Sequence, residues 1–137
     1  MKPRIRKAFA LIGAAVIAVI TVALCEWISH KLVSFPEYTE ATRLTYMETA
    51  SYSAKVAILI GWSLAAFIGT CVGSMLLGHK SNTIPITVAA ILIASIAINS
   101  VLIPHPAWMI IAGIIMVVAT AWAGSRAGSR VSSASGS

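Results

Sequence analysis

Val56-Ala57-Ile58-Leu59-Ile60-Gly61-Trp62-Ser63-Leu64-Ala65-Ala66-Phe67-Ile68-Gly69-Thr70-Cys71-Val72-Gly73-Ser74-Met75-Leu76-Leu77-Gly78 decides the fold, because it runs from residue 56 to residue 78 without an Asp, Glu, Lys or Arg. Crossing a hydrocarbon core of about 30 Å takes about 20 apolar residues at about 1.5 Å of helical rise each. Segments 8–25, 81–103 and 104–125 are equally free of charge. The whole chain of 137 residues is 58% hydrophobic and 10% charged, with a mean hydropathy of +0.91. An average soluble chain is about a quarter charged, so part of the solvent around this one must be lipid. The expected fold is an all-α polytopic membrane protein, a bundle of four transmembrane helices.

The boundaries follow from the charges and the turn residues. Helices are expected at about 8–29, 54–78, 83–103 and 106–125, forming a single membrane domain over 1–125. Lys2, Arg4, Arg6 and Lys7 ahead of an apolar run also describe a signal peptide. The run is longer than the roughly 7–15 residues of a signal's central region, however, and no small-residue cleavage site follows it. The first helix is therefore expected to be retained. Beyond Ser125, a stretch of Gly, Ser, Ala and two Arg has no apolar period, and 126–137 reads as a disordered tail.

Basic residues set the orientation, since they stay on the cytoplasmic side. Threading four helices puts Lys2, Arg4, Arg6, Lys7, Lys80, Arg126 and Arg130 on one side and Lys31, Arg43 and Lys55 on the other. Both termini are then expected in the cytoplasm. The net charge of +6 reads as this topology signal plus attraction to anionic lipid, and not as a footprint for nucleic acid. All four carboxylates, Glu26, Glu37, Glu40 and Glu48, fall on the outer side or at its membrane edge. A polar working face would therefore be the outer one.

The outer loop, 31–53, is the one sizeable connection. Ser34-Phe35-Pro36-Glu37 matches a capping box, and Tyr38, Ala41, Leu44 and Met47 recur at helical spacing. A short amphipathic helix is expected there. Along the second span, Gly61, Ala65, Gly69 and Gly73 repeat every four residues and form a groove into which another helix can pack closely. The partner is either a neighbour in the bundle or a second copy, which makes a homo-oligomer or a larger membrane complex a candidate partner beside the bilayer. Asn99 is the polar intramembrane residue of the third span and reads as a hydrogen bond between helices. Cys25 and Cys71 lie at different membrane depths, too far apart for a disulfide.

Chemistry has one candidate location. Glu26 ends the first apolar run, His30 follows one turn later on the same face, and His105 is held between Pro104 and Pro106 at the same membrane level. Two imidazoles and a carboxylate suit zinc or another divalent transition metal. Glu26 alone suits proton-coupled transport, because an ionisable group at membrane depth is costly to keep. The plainest reading makes Glu26 an interfacial anchor paired with His30 or Lys31. No catalytic motif is present: there is no Gly-x-Ser-x-Gly, no Cys-x-x-Cys, no phosphate loop and no aspartate. The expected role is therefore non-catalytic, an accessory, structural or assembling membrane component. The alternative is a small proton-coupled transporter or metal-binding protein with an outer Glu/His site.

Glu26-Trp27-Ile28-Ser29-His30 followed by a proline-bearing outer loop, and Ile103-Pro104-His105-Pro106-Ala107-Trp108 as a later turn, carry one resemblance. The pattern is similar to that of a group of small uncharacterised bacterial inner-membrane proteins with four helices. It implies the same fold and membrane, and brings no activity with it.

Overall fold

Four long helices and one short one make up the chain in the computed structural model, which describes residues 1–135. In order they are α1 (Pro3–Leu32), α2 (Tyr46–Thr49), α3 (Tyr52–Leu77), α4 (Thr83–Leu102) and α5 (Ala107–Ser135). All but α2 are long and apolar enough to cross a membrane. The protein is an all-α, multi-pass membrane bundle.

Each boundary has a local cause. Pro3 occupies the first position of α1, where its missing N–H costs nothing. Ser51 caps α3 by accepting from the Ala54 amide, and Gly78 ends that helix in the left-handed region at φ 78°. At Ile103 the backbone turns extended, as the residue before a proline must, and α4 stops.

α3 is the centre of the bundle. It packs most extensively on α5 and α1, while α4 rests on α5 and more lightly on α3 and α1. The predicted groove is real, and its occupant is α1. Gly61, Ala65, Gly69 and Gly73 are all buried, and α1 buries only Ala10, Ala14 and Ala18. A Cβ on Gly69 would stand 2.8 Å from the Ala14 carbonyl oxygen, and one on Gly73 2.6 Å from the Ala14 Cβ. Small residues at four-residue spacing on both helices bring the backbones together. In lipid that contact is driven by packing and not by water exclusion. The groove is thus closed within the chain and is not open to a second copy.

The other face of α3 meets α5 in parallel. Trp62 packs on Gly113, the Phe67 backbone and Thr70 on Gly124, and the Cys71 backbone on Gly128. The hydroxyls of Ser74 and Ser125 share a buried hydrogen bond of 2.9 Å. These contacts correct the expected tail. α5 continues to Ser135, and Gly124, Ser125 and Gly128 are the small residues that let it lie against α3. Gly136 and Ser137 lie outside the described residues. At roughly 45 Å, α1 and α5 are longer than the hydrocarbon core, so their basic ends clear it.

The outer loop also differs from expectation. Residues 34–39 are not helical, so Ser34 caps nothing, and the helix there is the single turn of α2. Threonine chemistry explains it. The Thr39 amide donates to the Thr42 hydroxyl at 2.9 Å, and that hydroxyl in turn donates to the Glu37 carbonyl at 2.9 Å. Side chains that bond the local backbone compete with helix and favour turns. Tyr38 and Leu44 are consequently exposed while Met47 is 2% exposed.

Candidate outer-face cavity

The extended segment and α2 fold back over the end of the bundle opposite the N-terminus of α1 and leave a cavity of about 400 Å³ beneath them. Glu26, Ser29 and His30 reach it from α1, Trp62 from α3, Asn99 from α4 and His105 from the proline turn. Tyr38 and Tyr46 form its cover and meet edge to face, with ring centroids 5.5 Å apart. Its volume falls within the ~300–1,000 Å³ usual for small-molecule sites. The sequence placed Glu26, His30 and His105 on one level, and all three line this one space.

Among the described residues no group of three His, Cys or Glu side chains is placed to hold a metal ion. Each imidazole has a defined neighbour. His30 packs on Phe35 with centroids 4.2 Å apart. His105 lies 5.9 Å from the Trp62 ring, and its Nδ1 donates to the Ile103 carbonyl at 2.6 Å. That bond fixes the proton on Nδ1 and leaves Nε2 as the free nitrogen. Burial pushes the His105 pKa down, and the bond to Ile103 offsets this only in part. Across the cavity, burial and then the charge of Glu26 raise the Tyr46 phenol.

Glu26 is exposed, as an interfacial group would be, but it lacks the expected partner. Arg43 with Glu40, at 3.9 Å, is the single ion pair among the described residues. Glu26 therefore pairs with neither His30 nor Lys31. Asn99 is also corrected. It is exposed, and among the described residues its side chain makes no hydrogen bond to another helix. Apart from the Ser74–Ser125 pair, several hydroxyls of the spans are satisfied within their own helices, as Thr70 donates to the Ala66 carbonyl at 2.7 Å and Ser63 to the Leu59 carbonyl at 2.8 Å. Glu26 and Asn99 are thus exposed polar groups that border the cavity and, among the described residues, have no side-chain partner.

A second space explains their company. A groove of about 220 Å³ runs between α1 and α4, walled by Val19, Val22 and Ala23 on one side and by Leu92, Ser95 and Ile96 on the other. Glu26, Asn99, Trp62 and Val22 border both spaces, so the groove and the outer cavity adjoin. Tyr38, Tyr46 and Ser29 are site residues that the sequence does not disclose. Only the aromatic content of the outer loop hinted at the first two.

Both cysteines are free thiols, Cys25 on the cavity wall and Cys71 far down α3. Comparison with family models, with curated proteins and with solved structures finds no match to this chain, so its function is to be read from the cavity itself.

Proposed function

We propose that this is a non-catalytic multi-pass protein of the bacterial inner membrane, with both termini cytoplasmic and an outer-face cavity that binds a small ligand at Glu26. The observation that carries the reading is a carboxylate and an amide, each unpaired among the described residues, bordering the same cavity, which is of ligand size and lined by aromatic rings. Such a cavity, mostly apolar with a few convergent polar groups, is the usual form of a binding site. Proton-coupled transport is the activity this site fits best. A divalent transition metal is a weaker occupant, because among the described residues no three His, Cys or Glu side chains are placed to hold one.

The orientation rests on the distribution of basic residues. Seven of the ten lie at the end of the bundle opposite the cavity.

The role of an accessory or assembling component, alone or as a homo-oligomer, is the second reading. One observation favours it: α1 exposes Phe9, Ile12, Val16 and Val19 along one side while burying three alanines. Lipid covers such a face equally well, so the cavity carries more weight.

Native mass spectrometry of the full chain in mild detergent, with elemental analysis, tests the proposal. A bound non-protein mass that is lost in Glu26→Gln is expected. A bare chain in both proteins, or one metal ion per chain retained in Glu26→Gln, counts against it.

A further inference from the structure

We infer that the cavity and its side groove take an amphiphile with a cationic ammonium head and an apolar tail, entering between α1 and α4 from the bilayer. The inference rests on the binding reading above and adds the class of ligand and its route.

Charge selects the head. Glu26 is the one carboxylate bordering either space, and no Lys or Arg borders them. An anionic head would meet an uncompensated negative charge, whereas a cation would gain an ion pair with Glu26. The rings of Trp62, Tyr38, Tyr46 and Phe35 add faces to which an ammonium is attracted. A strongly hydrated divalent metal would instead need several oxygen or nitrogen ligands, and the described residues do not assemble them.

Shape selects the tail. Downward from Glu26 the groove is walled by Val19, Val22, Ala23, Leu92 and Ile96, and Ser95 turns its hydroxyl back to the Ile91 carbonyl at 2.9 Å. The walls therefore present an almost wholly apolar lining over the seven helical steps from Val19 to Glu26, roughly 10 Å of helix. Asn99 sits at the junction, where its amide reaches the head while the chain lies below. The route is lateral because α1 and α4 make the weakest of the main helix contacts. Separating them disturbs neither the close glycine contacts of α1 with α3 nor those of α5 with α3.

Cys25, on the cavity wall, gives the readout. In full-length protein carrying Cys71→Ser, in nonionic detergent, the rate of maleimide labelling is measured with and without each probe, and the two rates are compared as a ratio. The probes are dodecyltrimethylammonium, dodecyl sulfate, dodecanol and tetramethylammonium. Dodecyltrimethylammonium should protect Cys25 at concentrations at least about tenfold below the other three, the scale of one charge-assisted contact. Glu26→Gln should erase its advantage over dodecanol. Ser95→Phe, which fills the groove and keeps the carboxylate, should erase its advantage over tetramethylammonium, and it covers the case in which Glu26→Gln does not fold.

Equal protection by all three dodecyl probes would overturn the cation and leave the binding cavity standing. Equal protection by tetramethylammonium and dodecyltrimethylammonium would overturn the lateral tail. No protection by any probe would overturn the inference and the binding reading together.

Discussion

The Nε of Arg6 donates to the carbonyl of Leu76 at 3.1 Å, so the basic opening turns of α1 close the last turn of α3. The same guanidinium lies where a Cβ on Gly78 would stand, and Gly78 itself ends α3 at φ 78°. A cation on the free carbonyls at a helix C-terminus is favoured by hydrogen bonding and by the helix dipole. Arg43 does the same at the opposite end of the bundle, donating to the Leu102 carbonyl of α4 at 3.3 Å. Two of the ten basic residues thus act on structure as well as on topology.

Arg6→Gln should lower the stability of the folded bundle by about 0.5–1 kcal/mol, the usual range for a capping cation at an exposed site. Gly78→Ala should cost more, because a left-handed residue gains a Cβ and the guanidinium is displaced as well. Thermal unfolding in one detergent checks both. Equal midpoints for wild type and Gly78→Ala would show that Arg6 and Gly78 do not form one cap.

Close packing of α1 on α3 predicts a contrast between two glycines. A Cβ on Gly69 would meet the Ala14 carbonyl and the Ala18 Cβ, both rigid, whereas one on Gly13 would meet the Leu76 Cδ1, the tip of a flexible chain. Gly69→Ala should therefore destabilise by about 1–3 kcal/mol, and Gly13→Ala by well under 1 kcal/mol. If the two substitutions lowered the unfolding midpoint equally, the tight seam between α1 and α3 would be refuted.

The four spans were legible because charge-free runs of membrane length have no other stable form. The groove of Gly61, Ala65, Gly69 and Gly73 was legible from its spacing, yet its partner was not. Ala10, Ala14 and Ala18 repeat at the same spacing, but α1 holds so many small and apolar residues that the stripe does not stand out. The last helix was read too short, since Arg126, Gly128, Ser129 and Arg130 look like a solvated tail when judged by polarity. Judged by size, Gly128 is a contact residue for α3, next after Gly124 and Ser125. The outer loop was misread for the opposite reason: helical spacing was present, but the hydroxyls of Thr39 and Thr42 bond the local backbone instead. Of the site, Glu26, His30 and His105 were visible as polar residues where polarity is expensive. Tyr46 and Met47 became part of it only through a fold-back that no local pattern encodes.

Ser74 and Ser125 join α3 to α5 through one buried hydrogen bond of 2.9 Å. Replacing either with Ala leaves the other hydroxyl without its partner, so each single change should cost about 0.6–1.7 kcal/mol, the range measured for hydrogen bonds between helices in membranes. The double change should cost less than the sum, since neither hydroxyl is then left alone. Strict additivity in the double-mutant cycle would show that the two hydroxyls do not interact.

His105 makes the bundle acid-sensitive, with a sign that can be worked out. Its folded pKa is lowered from 6.5 by burial against Trp62 and under the outer loop. The unfolded chain therefore binds the proton more readily, and stability rises with pH through the window below the unfolded value. Well above pH 6.5 the contribution is complete; it is lost as the pH falls from about 6.5 to the lowered folded pKa, and below that, with both states protonated, the loss levels off. Protonation also brings a charge beside the Ile103–Pro104 turn, where Nδ1 already donates to the Ile103 carbonyl, so Nε2–H is left needing a new acceptor. Unfolding midpoints measured from pH 8 to pH 5 should fall for the wild type, and His105→Gln should flatten that fall. A wild-type midpoint that rises on acidification, or a His105→Gln profile as steep as the wild type's, would show that His105 is not the group responsible.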